Sequence, residues 1–521
     1  MMKQKMTRVL SIVLAMLVLA SMLTTVSFAY TPYNSYNYNY YGEAIETPAG
    51  YTPIDVLYGA DLGVGELGTP VDLYVSPQNE IYLLDYYGTD NTARLHIFDS
   101  DFNLIKTLST LTANGNPYYM SLPESVAVDA NGYIYICDTG NYQVLKLDKD
   151  KSGTIVQTIG TPDSDMFEGE FKPSKVAIAK NLSLYVISNS TLDGIMEFNA
   201  QGTFLRYFGA PDVQLSVADM VALAWRRVYR SLFGDDVDDS FVTFVPTEFE
   251  NLVVDEYGFV YSVIAASGES NTNQLLKMNF QGDNILDPTA KSTQKINDTL
   301  SSTYGDLIRL SEAGSGNIFI DVSVDEDGFI TLLDSNLCKV FEYDSEANLV
   351  SVYGGMGKQQ GLFQSPKAMA KLGKKTLILD GYNRSITIFE LTDYGETFHN
   401  GIILYNKGLY TEAEEYWFEV LKSNANCELA HIGLGKVYYQ YGEYATALNH
   451  FKVANDRMNY QNAYSLYREQ VIADHFDLIM TLLMVVVVLM LVWRFFGKSI
   501  IAAIKERRQG GGDDDDAETV E

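Results

Sequence analysis

The sequence predicts a mainly β fold, a six-bladed β-propeller whose last blade is closed by an N-terminal strand, followed by a small all-α repeat domain and a single transmembrane helix. Three observations predict it. A strand–turn–strand pattern recurs six times, a 34-residue spacing replaces it after Gly401, and one apolar run lies near the C-terminus. At roughly 150 residues per domain, 521 residues leave room for about three folded units. With 47% apolar and 20% charged residues the chain sits in the ordinary globular range. A net charge of −30, from 37 basic and 67 acidic residues, excludes nucleic acid as a partner, because a polyanionic surface repels the phosphates a binder must neutralise. Three Cys are too few, and odd in number, for a disulfide scaffold. Cys137, Cys338 and Cys427 each lie in an apolar context and read as buried small residues.

The ends set the expected topology. Lys3, Lys5 and Arg8 precede an apolar run from Val9 to Leu23 and the small-residue site Ser27-Phe28-Ala29, which reads as a secretory leader over 1–29. Residues 30–50, rich in Tyr and Asn, read as a disordered spacer. From Leu478 to Phe496 the chain is almost wholly apolar, and 19 residues of helix cover about 28 Å, the thickness of a hydrocarbon core. A membrane span over 476–497 follows. Arg494 near its end and Lys498, Lys505, Arg507 and Arg508 after it put basic residues on the far side, so the tail 498–521 is expected in the cytoplasm and the N-terminal region outside the cell.

Six segments align, beginning at Pro70, Pro123, Pro173, Glu250, Ile320 and Pro366. Each is a short strand, a polar turn and a second strand. A third alternating strand follows each, and usually a fourth ending in Gly, so each repeat makes one blade. The sixth repeat stops after its third strand, while an orphan strand, Ile54 to Gly59, precedes the first. Donating that strand to the sixth blade closes the ring over 51–393 and removes exposed edges. Two insertions interrupt it, a helical one over 212–245 and a polar loop over 282–317. The best repeat, PESVAVDANGYIYICDTGN from Pro123, resembles the NHL family, with Asp380, Asn383 and Arg384 echoing its continuation. Ser188 and Ala265 depart from the pattern where other blades carry Asp. The resemblance implies a propeller used by scaffolds, sensor ectodomains and a few lyases or lactonases. Metal-dependent members place His or paired acids over the channel, but His96 is the sole His of the propeller sequence.

Candidate ligand-binding residues lie at the expected channel rim: Asp85, Asp138, Asn141, Asp334, Asp380, Asn383 and Arg384. Repeated Asp at the end of the second strand reads as an acidic ring for a cation or basic group, or as a set of turn caps that bind their own backbone; the turn chemistry favours caps. The turns at 129–132, 255–258 and 325–328 resemble calcium loops but lie between paired strands, so hairpin turns explain them and no metal is assigned. Trp225, Arg226, Arg227, Tyr229 and Arg230 fall on an amphipathic helix suited to a membrane surface, a partner groove or a blade edge.

From Gly401 the period changes. Gly401, Gly408, Ala413 and Trp417 return 34 residues later as Gly435, Gly442, Ala447 and Phe451, which resembles two tetratricopeptide repeats over 394–475, with a cap from Tyr460 to His475 running into the span. Such a module serves as a peptide-binding groove or as a stalk. No Ser-His-Asp order, phosphate loop or HExxH sequence is present. The expected function is therefore a non-catalytic, membrane-anchored binding or scaffold protein of a Gram-positive envelope. It would use no cofactor, would have protein partners at the membrane and the bilayer itself at 476–497, and resembles proteins that work beside sugar-uptake transporters. The alternatives are a metal-dependent NHL-type lyase or hydrolase and a sensor signalling through the single span.

Overall fold

The computed structural model describes residues 31–87, 92–164, 166–167, 169–189, 191, 194–209, 249–264, 274–286, 304–307 and 316–509. The leader, the helix carrying Trp225, Arg226, Arg227, Tyr229 and Arg230, most of the 282–317 insertion and the acidic tail lie outside these residues. Two compact units divide the chain, the propeller with the start of the first helix, and the remaining helices.

Six antiparallel sheets make the propeller. Blade 1 comprises Thr69–Val75, Ile81–Tyr87, Thr92–Phe98 and Leu104–Leu108. Blade 2 is Pro123–Val128, Ile134–Asp138, Gln143–Leu147 and Ile155–Ile159; blade 3 is Pro173–Ile178, Leu184–Ser188, Ile195–Phe198 and Phe204–Phe208. Blade 4 has three strands among the described residues, Phe249–Val254, Val260–Ile264 and Leu275–Met278. Blade 5 is Phe319–Val324, Ile330–Asp334, Lys339–Tyr343 and Leu349–Gly354. Blade 6 takes Pro366–Leu372, Lys375–Asp380 and Ser385–Leu391, and its outer strand is the N-terminal segment Tyr51–Tyr58, paired from Ser385 opposite Tyr58 to Leu391 opposite Tyr51. The ring therefore closes as the strand count requires.

The second strands are buried along nearly their whole length, Ile134–Asp138 and Ile330–Asp334 at every position, because both faces of each sheet meet a neighbouring blade. Six clusters fill the wedges: Leu95, Val126 and Leu145 between blades 1 and 2, for example, and Leu83, Leu379 and Ile386 between blades 1 and 6. The turns thought to imitate calcium loops are hairpin caps. Asp129 Oδ1 accepts the backbone N–H of Asn131 and Tyr133 at 2.9 and 3.0 Å, and Asp255 and Asp325 repeat the arrangement.

The expected disordered spacer is instead ordered from residue 31 onward. Tyr36–Tyr38 pairs with Ala44–Glu46. Ser35 Oγ and Asn37 Nδ2 donate to the carbonyls of Val352 and Leu349 in blade 5, and the hydroxyls of Tyr36 and Tyr38 donate to Asp306. Lys339 completes this group, 2.7 Å from Asp306. Low sequence complexity concealed a Tyr-x-Tyr alternation that edges a sheet well.

Helices follow: α1 (Asp393–Asn406), α2 (Tyr410–Ser423), α3 (Glu428–Gln440), α4 (Tyr444–Val453), α5 (Arg457–Asp474) and α6 (Phe476–Gln509). Thr392 caps α1, its hydroxyl accepting the Gly395 N–H at 3.0 Å. Gly408 and Gly442, at φ +75° and +77°, make the turns before α2 and α4. Ala413, Trp417, Ala447 and Phe451 are buried, and Gly401 and Gly435 are buried on α1 and α3. A Cβ at Gly435 would come within 2.4 Å of the Phe451 ring, so only glycine lets α3 and α4 approach this closely. The cap does not run unbroken into the apolar helix. His475, at φ −110° and ψ 15°, leaves helical geometry between α5 and α6. By length and composition α6 is long and apolar enough to cross a membrane.

Candidate functional site

Every blade carries a register irregularity near the start of its innermost strand, between the first and third residues in blades 2 to 6 and between the second and fourth in blade 1. The residues just after it are Asp72, Ser125, Lys175, Asn251, Asp321 and Ala368, one per blade. Five of the six are polar, and a bulge re-aims a side chain out of the regular alternation. Lys175 of blade 3 contacts Asp72 of blade 1, its Nζ 3.0 Å from Oδ1, and also interacts electrostatically with Asp321 of blade 5. Reaching two blades in both directions is possible only across the central axis.

Hydrogen bonds fix this axial cluster. Asp72 Oδ2 accepts the Val126 N–H of the next blade at 2.9 Å, and Asp321 Oδ2 likewise accepts the Met369 N–H at 2.6 Å. Asn251 Nδ2 donates to Asp321 Oδ1 at 2.6 Å. The carboxylates thus tie neighbouring blades together while facing a common centre. Burial pushes Asp321 up to about 7, with the Asp72 charge adding to the rise and Lys175 and two backbone N–H groups opposing it. Burial disfavours the Lys175 ammonium, yet Asp72 and Asp321 hold its pKa above the ordinary value. A carboxyl that titrates near neutrality beside a fixed cation can take and return a proton. In repeats aligned on their turns, Asp72, Ser125, Lys175, Asn251 and Asp321 form a polar column inside apolar strands, separate from the strand-end acids.

The rim residues are occupied differently. Asp85, Asp138, Asp334 and Asp380 are buried, each accepting a backbone N–H from the segment entering its own blade: Gly68, Ser121, Ile318, and Gln364 with Ser365. Ser188 makes the equivalent bond, its Oγ accepting the Lys172 N–H at 3.0 Å. Register places Ile264, opposite Phe249, at this position in blade 4, where the alignment had put Ala265. Burial raises Asp85, and raises Asp334 to about 6 against three backbone N–H donors. Asn141 and Asn383 donate to Asp138 and Asp380 at 2.9 and 2.8 Å, and Arg384 pairs with Glu66 at 2.9 Å on the surface. These four carboxylates cap turns within separate blades. His96 is buried, its pKa lowered to about 4 by burial and by Arg94, with Nδ1 2.9 Å from the Thr107 hydroxyl. All three Cys are free and buried. Among the described residues no three His, Cys, Asp or Glu side chains gather to hold a metal ion.

A second buried group joins blades 5 and 6 to α1. Glu342, fully buried, accepts from Tyr51 OH at 2.6 Å and lies 3.0 Å from Lys371 Nζ and 2.9 Å from His399 Nε2. The His399 ring stacks on Phe329 at 4.0 Å.

No protein-family model matches the chain. A 97-residue stretch is 33% identical to the probable peptidyl-alpha-hydroxyglycine alpha-amidating lyase pgal-1 of Caenorhabditis elegans, covering 18% of this chain and 26% of that protein. Over 149 residues it is 27% identical to peptidyl-alpha-hydroxyglycine alpha-amidating lyase 2 of Drosophila melanogaster, covering 28% and 35%. The chain thus spans about a quarter to a third of the length of these relatives. Among solved structures, virginiamycin B lyase from Staphylococcus aureus is similar at 10% identity and a TM-score of 0.37, covering 66% of this chain and all of that one. The expectation of a non-catalytic protein is overturned by the curated relatives, which are named lyases.

Proposed function

We propose that this chain is a membrane-held lyase-type propeller whose reacting centre is the axial cluster of Asp321, Lys175 and Asp72. The observation that carries the reading is a buried carboxyl near neutral pKa facing a buried ammonium across the propeller axis; the names of the curated relatives supply the reaction class. In that class, a peptide ending in α-hydroxyglycine loses its hydroxyl proton, the bond from the α-carbon to nitrogen breaks, and its electron pair goes to nitrogen, which takes up a proton. The products are a peptide amide and an aldehyde acid. Asp321 as carboxylate accepts the hydroxyl proton, and Lys175 holds the substrate carboxylate or supplies the proton to nitrogen.

The test is aldehyde release from such a peptide by the purified full chain in detergent. Turnover is expected to rise as pH passes through about 7 and to fall roughly 10²–10⁴-fold in Asp321→Asn. No release above background at any pH from 5 to 9 would remove the reading. In the same proposal the NHL-like ring stands outside the cell, α6 holds it in the membrane, and the tetratricopeptide-like helices serve as a stalk that docks protein partners. The basic residues of the C-terminal end of α6, Lys498, Lys505, Arg507 and Arg508, support that orientation.

A further inference from the structure

The helical unit holds a pair of side chains that the lyase reading does not use. His431 on α3 and His450 on α4 face each other with Nδ1 atoms 3.0 Å apart. His431 Nε2 lies 3.1 Å from the Ala425 carbonyl, an acceptor only, so that nitrogen carries the proton and Nδ1 presents a lone pair toward His450. The His450 ring is fixed by stacking on Tyr438 at 5.5 Å and 14°. Both histidines are half-buried.

We propose that His431 and His450 bind one divalent transition-metal ion of the Zn²⁺ class through their Nδ1 atoms, with water completing the shell. Two nitrogens on a tetrahedral Zn²⁺, each at about 2.0–2.1 Å, stand about 3.4 Å apart, so the existing separation needs a change of a few tenths of an ångström. A metal-bound histidine usually donates its other ring N–H to a carbonyl, which is the bond His431 already makes to Ala425. The Nδ1 proton that His450 donates to His431 passes to its own Nε2 as the metal takes Nδ1. Imidazole ligands select Zn²⁺, Cu²⁺ or Ni²⁺ over Mg²⁺ or Ca²⁺. Cys427, one turn before His431, does not join: it is buried and its thiol is pushed up to about 12. The Tyr438 ring that stacks on His450 in turn feels the charges of Glu414 on α2 and of Glu443 before α4. Two protein ligands imply micromolar rather than structural affinity, suited to a site whose occupancy follows ambient metal.

The experiment is Zn²⁺ titration of the full chain in detergent by calorimetry. Wild type is expected to bind one saturable equivalent at pH 7.5, and His431→Gln and His450→Ala each to weaken it roughly tenfold or more, whereas His475→Ala, which removes an exposed imidazole on no such pair, retains it. Affinity is also expected to drop at pH 5.5, as protons displace the metal. Far-UV circular dichroism confirms that each variant keeps its helices; if His450→Ala does not, His431→Gln and His450→Gln decide. No saturable equivalent in wild type, or equal affinity in the folded pair variants, overturns the proposal. Because the readout is metal binding in the helical unit, a negative result leaves the lyase reading standing, and the reverse also holds.

Discussion

Asp321 and Glu342 are both buried carboxyls of blade 5, yet their surroundings drive them in opposite directions. Burial raises Asp321 to about 7, whereas the Lys371 and His399 charges and the Tyr51 hydroxyl overcome burial and hold Glu342 well below the ordinary range. The signs follow from linkage. Asp321 binds its proton more tightly when folded, so its contribution is fully present below about pH 4 and is lost as pH rises to about 7. Glu342 contributes above about pH 4.5, and that contribution is lost as pH falls below it. Melting temperature measured against pH is expected to decline between pH 4 and 7 because of Asp321, and Asp321→Asn is expected to flatten that segment alone. Glu342→Gln leaves Lys371 buried without its partner and is expected to cost about 3–5 kcal/mol in denaturant unfolding. Glu342 was not legible as a site in the sequence, and Asp321 only as one member of a polar column inside apolar inner strands. Which of those polar residues face one another is set by the fold alone.

Elements were more legible than sites. The six repeats announced six blades because strand alternation and turn chemistry are local, and the count of strands required the segment Ile54 to Gly59 to complete blade 6, where the paired strand runs from Tyr51 to Tyr58. Deleting that strand is expected to leave an open edge on Ser385–Leu391, read out as loss of cooperative unfolding and protease cleavage in blade 6. Ile386→Ala, in the wedge between blades 1 and 6, is expected to cost about 2–5 kcal/mol by leaving a cavity. The 34-residue spacing located Gly435 and Phe451, but not how near they come. Gly435→Ala is expected to melt the helical unit at lower temperature while the propeller transition is unchanged, measured as two transitions by scanning calorimetry. Tyr-rich low complexity misled, since Tyr36–Tyr38 gains its order from blade 5 and Asp306, partners that are hundreds of residues away in the chain.

At the scale of the whole molecule the apolar helix and the charge set the physical state. Residues 478–493 are all exposed on α6, a face that water penalises and a bilayer accepts. Val486→Arg, near the middle of that run, is expected to raise the insertion free energy by about 2.5–3.5 kcal/mol, checked as a shift from the membrane pellet to the carbonate-soluble fraction.

Periodicity, turn residues and one apolar stretch determined the blade count, the closing strand, the helical repeats and the candidate membrane helix, because each depends on neighbours close in the chain. Tertiary structure alone decided which polar residues meet. Asp72, Lys175 and Asp321 converge because a bulge recurs in every inner strand and the ring brings distant blades to one axis, and His431 meets His450 because a glycine lets two helices touch. Those encounters depend on through-space distance in a low-dielectric interior, a quantity that no linear pattern encodes.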